Sequence, residues 1–372
     1  MTIFKKICSK IRITKKYIQF KLKSGKFSGK NVFFPGAYTI STGRRTTQLI
    51  CHFLYSGYNC YLDYPFLQYL KLDEKAMYAS QLKGVFSAGR CHEKFSIIIS
   101  DNKKLLDSFD PDILKIHINY LTLENKFSNI ADVTGNDLYY PIGLHKNFLN
   151  STFESEILGR VFNTERKIMG IFAGNTISIS NPKKNAYNMD ITRESLNINT
   201  RIEMLSYIRD KLPKEYLYLP DSLKSFLDAM KSGHLKNKIV LIDTQVFSIP
   251  QDTYFDVLLN SNFYIHMCGF KQPFCHNQIE SMLAGCIPVT QFTRFFVPGF
   301  KHELNSLLFN TLDELCLLLL DAVSGKYENS LNFMREEIIS YYKNYHSLES
   351  FKNKLSYLVK NNIKYANHFI VK

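Results

Sequence analysis

The sequence lacks several features that would place it in common classes. It has no run of eighteen apolar residues, so no segment is expected to cross a bilayer as a helix. Its eight cysteines form no C-x-x-C pair and no zinc spacing, and they lie mostly in apolar runs, which is typical of small buried side chains in a reducing cytosol. No G-x-G-x-x-G follows a predicted strand, which disfavours a Rossmann dehydrogenase.

Acidic residues are absent from the first thirty positions, which hold ten Lys and Arg of a chain whose net charge is +14. The rest of the chain is only mildly basic, which argues against a protein whose whole surface binds nucleic acid. Residues 1–30 are predicted to form a basic amphipathic helix and a linker. Such a helix can lie on an anionic membrane surface, pack on the body of the protein, or remain a solvated basic tail.

From residue 31 onwards, short apolar strands alternate with helical patterns, as expected of α/β domains built on parallel sheets. The alternation breaks at about 145–165 and restarts with "KIMGIFAGN". We therefore predict two doubly wound Rossmann-like domains facing a cleft, at 31–160 and 161–330. Residues 331–372 are predicted to be helices that pack back across the domain junction.

The stretch "HNQIESMLAGCIPV" is predicted to be a helix that stops at a glycine and leads into a strand. In parallel sheets, ligands bind beyond the carboxyl ends of strands, where the first turn of the next helix attracts anions. His276, Asn277 and Glu280 share one face of this helix, and Gly269 and Lys271 lie in the loop before it. A site that binds phosphates at the helix start and a sugar diol at Glu280 would suit a nucleotide. Alternatively, Glu280 only stabilises the helix dipole and His276 caps the helix.

These segments resemble the donor domain of GT-B-fold glycosyltransferases, chiefly the exostosin-like and bacterial surface-polysaccharide types. The resemblance rests on "IFAGN", on "HNQIESMLAGCIPV" and on "LNSLLFNTLDEL", and it covers about 165–325. It implies that Glu280 binds the ribose, that His276, Asn277 and the Gly269 loop meet the diphosphate or sugar, and that Gly174 and Asn175 line the cleft.

Two positions depart from that family pattern and leave the stereochemistry of transfer open. Many retaining members carry a second glutamate where this chain has Gln272, and the exostosin-like pattern often has arginine where it has Asn277. The resemblance gives 31–160 as the acceptor-side domain and 161–330 as the nucleotide-sugar-binding domain.

The first domain supplies further candidates. Gly43, Arg44 and Arg45 follow the first strand and could close over the diphosphate, or they could be a solvated helix start. His117, predicted at the carboxyl end of its strand, and Asp63 are candidate catalytic bases. A lone strand histidine is more often a core residue, and Asp101 and His92 are weaker candidates for the base.

The motif "DPD" at 110–112 precedes its strand and is predicted to be a turn, so we expect no required metal and no cofactor besides the nucleotide-sugar substrate. The preferred function is a metal-independent glycosyltransferase that moves a sugar from a nucleotide-sugar to a cell-surface glycan or lipid-linked saccharide. It would be cytoplasmic or peripheral on the inner membrane face. The alternatives are an epimerase-type nucleotide-sugar enzyme of the same architecture and, third, a basic nucleic-acid-binding protein.

Overall fold

The computed structural model describes residues 2–23, 30–35, 43–69, 79–88, 95–122, 125–144, 151–175, 196–268 and 273–371, without the side chains of 2–9, 43–46, 68, 151 and 371. The helices are α1 (Thr2–Leu22), α2 (Gly43–Tyr55), α3 (Phe66–Tyr69), α4 (Lys103–Asp107), α5 (Ser151–Arg160), α6 (Arg201–Lys211), α7 (Leu223–Lys231), α8 (Gln251–Leu259), α9 (His276–Leu283), α10 (Leu312–Val323), α11 (Leu331–Tyr345) and α12 (Leu348–Lys360). The strands are β1 (Lys30–Phe34), β2 (Tyr58–Leu62), β3 (Val85–Ser87), β4 (Ile97–Ser100), β5 (Leu114–Leu121), β6 (Leu138–Tyr139), β7 (Ile168–Gly174), β8 (Leu217–Tyr218), β9 (Ile239–Asp243), β10 (Ser261–Ile265), β11 (Ile287–Thr290), β12 (Leu307–Leu308) and β13 (Tyr365–Val371).

The chain divides into two compact units. Unit 1 comprises Met1–Leu121, Asn129–Ser151 and Ser347–Lys372, and unit 2 comprises Thr122–Ser128 and Thr152–His346. Residues 331–372, predicted as one C-terminal region, are therefore divided between the two units. Helix α11 belongs to unit 2, while α12 and β13 belong to unit 1.

Unit 1 is built on a parallel sheet with the strand order β3-β2-β1-β4-β5-β13-β6. Strands β2 and β3 lie on one side of β1, and β4 and β5 lie on its other side, so the strand order reverses at β1. Because crossovers between parallel strands are right-handed, this reversal puts connecting helices on opposite faces of the sheet. The apolar core includes Phe53 of α2 and Phe351 of α12, both fully buried.

Unit 2 has a second parallel sheet with the order β12-β11-β10-β7-β9-β8. Its order reverses between the adjacent strands β7 and β10. Apolar side chains of β7, β9, β10 and β11 pack against α6 and α10. Leu315 and Leu319 of α10 are buried there. The predicted α/β class with two doubly wound parallel domains is thus confirmed.

The predicted helix over 331–372 is wrong at its end, where residues 365–371 form β13. This strand lies between β5 and β6. It pairs with β5 along its whole length and with β6 at His368 and Phe369, so backbone groups near its middle are satisfied on both sides. Ala366, His368, Phe369 and Ile370 are buried there. No described helix is long and apolar enough to cross a bilayer.

Helix α1 has two apolar faces. Phe20 is buried in the core of unit 1, with Ile13 and Tyr17 packed beside it. On another face, Ile11, Ile18 and Leu22 remain 64%, 51% and 65% exposed. The helix therefore packs on the body of unit 1 and still presents an apolar stripe to its surroundings.

Candidate functional site

The carboxyl ends of β7 and β10 define the place where a ligand is expected in unit 2. These adjacent strands end at Gly174 and Ile265, at the reversal of strand order. In open parallel sheets the connections leave such a point in opposite directions and open a crevice for ligands.

Helix α9 begins beside this point, as predicted. The backbone N–H of Cys275 donates to Gln278 Oε1 at 3.1 Å, and Gln278 Nε2 donates to the Pro273 carbonyl at 3.1 Å. Gln278 therefore provides a capping interaction at the start of α9. His276 and Asn277, the first two helical residues, are half-buried.

Asn277 ties the start of α9 to the neighbouring strand. Its Nδ2 donates to the carbonyl of Ala173, 3.0 Å away near the end of β7. The positive end of the helix is thereby held at the carboxyl edge of the sheet, where it favours a negative group.

Arg201 is a cation that the sequence did not indicate for this site. It is the first residue of α6, and its Nη1 donates to the carbonyl of Asn175 at 2.7 Å, just after β7. Its guanidinium carbon lies 5.4 Å from the centre of the Phe172 ring. The candidate site thus gains a fixed positive charge next to the end of β7.

The start of α6 is held in place by two sets of hydrogen bonds. Thr200 and Glu203 form a capping box at the helix start. Gln291, just after β11, accepts from the backbone N–H of Asn199 at 3.0 Å and donates to the Asn199 carbonyl at 2.9 Å. The start of α6 is therefore tied to the segment after β7 through Arg201 and to the segment after β11 through Asn199.

The pKa of the Cys275 thiol indicates which charged and polar groups act at the start of α9. Burial raises its pKa, while Arg201 and the backbone N–H groups of Gln278 and Asn277 act in the opposite direction. Those groups favour a negative charge at the N-cap, although Glu280 opposes it. A phosphate oxygen placed here would be stabilised by the same donors.

Glu280 lies in a more enclosed position than its predicted role suggests. It is 3% exposed. Its charge acts on Tyr254, Tyr264 and Tyr342, whose pKa values are raised mainly by burial. Spacing put Glu280 on the same face as His276 and Asn277, but Glu280 is buried while the other two are half-buried. The ribose contact stays a prediction.

His266, which follows β10, is fully buried. Its Nε2 lies 3.2 Å from Ser281 Oγ, and burial lowers its pKa to about 3. The imidazole is therefore neutral near pH 7 and packs under α9.

The other predicted donor-site residues divide into two sets. Gly174 ends β7, and Asn175 follows it, with its Oδ1 accepting from Gln245 Nε2 at 3.1 Å. Gln245 follows β9, which the sequence did not single out. Gly269 and Lys271 lie outside the described residues.

In unit 1, α2 begins at Gly43, so Gly43, Arg44 and Arg45 form its first turn. That placement after β1 agrees with the prediction, and the side chains of these residues lie outside the description. Their contact with a diphosphate stays a prediction.

The predicted position of His117 is wrong. It lies in the middle of β5, which continues to Leu121 because its last four residues pair with His368–Val371 of β13. The half-buried His117 ring is 6.4 Å from that of Tyr365. Asp63 does follow the carboxyl end of β2, where its N–H donates to the Phe34 carbonyl at 3.2 Å.

The remaining predicted residues are the weaker candidates for the base and the D-P-D motif. Asp101 follows β4 and accepts from Tyr120 Oη at 3.1 Å, while His92 lies outside the described residues. Asp110 accepts from the N–H groups of Asp112 and Ile113 in the predicted turn before β5. In the described part of the chain, no group of three or more His, Cys, Asp or Glu is placed to hold a metal.

Comparison with solved structures finds glycosyltransferases of similar length. HepE from Anabaena in complex with UDP is 11% identical, with a TM-score of 0.45 over 90% of this chain and 100% of that one. A glycosyltransferase from Rickettsia africae is 10% identical, with a TM-score of 0.42 over 91% and 100%. Sucrose-phosphate synthase from Thermosynechococcus elongatus is 9% identical, with a TM-score of 0.40 over 90% and 99%.

No family model matches the chain, and no curated protein matches it either. At these identities and TM-scores, the likeness to the solved structures carries no assignment of function.

Proposed function

We propose that this protein is a glycosyltransferase that uses a nucleotide-sugar donor bound by unit 2. The observation that carries the proposal is Arg201, fixed to Asn175 at the end of β7 and acting on the N-cap of α9. A guanidinium and the first turn of a helix at a topological switch point suit a diphosphate. The resemblance of 165–325 to GT-B donor domains supports the same assignment.

The proposed reaction breaks the bond between the sugar C1 and the distal phosphate oxygen. A new bond forms between C1 and an acceptor hydroxyl oxygen, whose proton passes to a base, and the nucleoside diphosphate leaves with added negative charge. Arg201 and the start of α9 would stabilise that charge as it develops. Asp63 stays the predicted base in unit 1, and the metal-independent mechanism also stays a prediction.

A thermal-shift panel of UDP, GDP, CMP and ADP tests the donor proposal. We expect one nucleotide to raise the melting temperature in a saturable way, because binding at a hundredfold excess over Kd stabilises the native state by about 2.7 kcal/mol. Uridine or guanosine alone serves as the control for the diphosphate. If no nucleotide shifts the transition, or the nucleoside works as well as its diphosphate, the donor site is wrong.

The acceptor is proposed to be a glycan or lipid-linked saccharide displayed at an anionic membrane. The support is the apolar stripe of α1, with Ile11, Ile18 and Leu22 exposed between basic residues. Apolar side chains can enter the lipid boundary, while each lysine or arginine near the surface adds about 1 kcal/mol of attraction.

We expect the double variant I11E/I18E to bind phosphatidylglycerol-containing vesicles at least tenfold more weakly than the wild-type protein in co-sedimentation. The matched control is Leu317→Glu, since Leu317 of α10 is 59% exposed. Deleting residues 1–24 is a poorer test, because it removes the core residue Phe20. Equal binding of the double variant and wild type, or equal binding to purely zwitterionic vesicles, would remove α1 as the membrane contact.

A further inference from the structure

A cavity of about 330 Å³ opens at the amino edge of the unit 2 sheet. Met169 and Asn262, near the starts of β7 and β10, form part of its wall. Lys236 and Asn237 precede β9 and lie on another side. Ser324 and Tyr327 of the turn between α10 and α11, and Leu331 at the start of α11, also line it.

This cavity is distinct from the donor site. Met169 is the second residue of β7 and Gly174 its last, so the strand separates the two places by five residues. At about 3.3 Å per residue, they lie roughly 16 Å apart on opposite edges of one sheet.

Positive charge is concentrated beside the cavity. Arg166 lines it, and Arg335, which is 4% exposed, lies close by. Burial lowers the pKa of Arg166, and the charge of Arg335 lowers it further. Arg335 donates to neutral acceptors only, the carbonyl of Gly285 and the side-chain oxygens of Asn332 and Asn262. Buried charges in proteins are normally paired, and in the described part of the chain neither arginine forms an ion pair with a carboxylate.

Other groups offset this charge only in part. Arg166 donates to four carbonyls at element ends, so helix dipoles compensate some of its charge. Burial raises the pKa of the nearby Cys286 thiol to about 11, so it stays neutral. The carboxyl end of α10 and the amino end of α11 both lie at the cavity. The partial negative charge of the first therefore offsets the partial positive charge of the second. Among the lining residues that the structure describes, the exposed Glu328 is the one carboxylate.

We propose that this cavity binds a small phosphorylated anion, of the size of a phosphate monoester of a short polyol. Lys236 and the amides of Asn237 and Asn262 would contact the phosphate. Arg166 contributes its charge without a direct contact, because its terminal N–H groups already bind carbonyls. The volume exceeds what orthophosphate alone fills and leaves room for a polyol beside Met169 and Tyr327.

Isothermal titration of the full chain with glycerol 3-phosphate and with inorganic phosphate, at constant ionic strength, tests this site. We expect Lys236→Gln to weaken glycerol 3-phosphate binding about tenfold and Glu328→Gln to strengthen it several-fold. Lys231→Gln, at an exposed lysine at the end of α7, is the matched control and should leave the affinity unchanged.

Two further arms separate this cavity from the donor site. Arg201→Ala should leave glycerol 3-phosphate binding unchanged, and glycerol without phosphate should not bind. The proposal is overturned if no saturable binding occurs, if Lys231→Gln weakens binding as much as Lys236→Gln, or if Arg201→Ala abolishes it. The last result would assign the phosphate to the donor site and leave the donor proposal intact.

Discussion

Replacing Arg201 by alanine is expected to lower kcat/KM for the nucleotide-sugar donor about 100-fold. A charge-assisted hydrogen bond to a buried phosphate contributes about 1.5–3 kcal/mol, and each 1.4 kcal/mol corresponds to a factor of ten. The loss should be larger than any change in the affinity for the free nucleoside, because Arg201 is proposed to contact the diphosphate and not the nucleoside. Steady-state transfer kinetics with the nucleotide-sugar whose nucleotide the thermal-shift panel selects would measure it.

The control for this prediction lies on the same helix. Arg209 is exposed in the last turn of α6, so Arg209→Ala should leave kcat/KM within about twofold. Arg201→Lys keeps the charge and loses the planar fork, so it should recover part of the activity. Matching thermal stabilities of the variants would exclude misfolding. Equal kinetics for Arg201→Ala and Arg209→Ala would remove Arg201 from the site.

Replacing Arg166 by methionine is expected to lower the free energy of unfolding by about 4 kcal/mol or more. The guanidinium donates to the carbonyls of Val161, Leu258, Ser261 and Ala284 at 2.9–3.1 Å. Methionine keeps much of the volume but donates to none of these carbonyls. Leu258 keeps the Asn260 N–H and the Cys286 thiol as donors, and each carbonyl left without a donor costs about 1–3 kcal/mol. Urea denaturation followed by circular dichroism would measure the change.

Arg160→Met provides the comparison at a nearby arginine. Arg160 pairs with Asp256 at 2.5 Å, and both side chains are nearly half exposed. Exposed ion pairs contribute about 0–1 kcal/mol, so this variant should lose far less stability. Similar losses for the two variants would mean that the four carbonyl contacts of Arg166 do not stabilise unit 2.

The sequence predicted the elements around the donor site well, because each is encoded locally. The apolar run before His276, the helix that stops at Gly285 and the strand that follows it lie where the pattern placed them. The positive φ of Gly285, 71°, explains why a glycine stands at that stop. The turn at Asp110 was likewise readable from its composition.

The functional residues were less predictable because their roles depend on contacts between distant segments. Arg201 is 26 positions from Asn175, and only the packing of α6 brings them together. Glu280 has the right spacing, but it is 3% exposed in the folded chain, which spacing alone does not show. His117 looked terminal until β13, from the other end of the chain, extended the pairing of β5.

The sequence by itself determined that this protein is built from alternating strands and helices and that a basic amphipathic helix lies within residues 1–30. Periodicity and glycine placement specify such features within a few residues. The tertiary structure alone decided that β13 joins the first sheet, that α1 uses one apolar face and exposes another, and that Arg201 lies beside the end of β7. These follow from which surfaces bury each other, and that choice depends on the whole chain rather than on any local pattern.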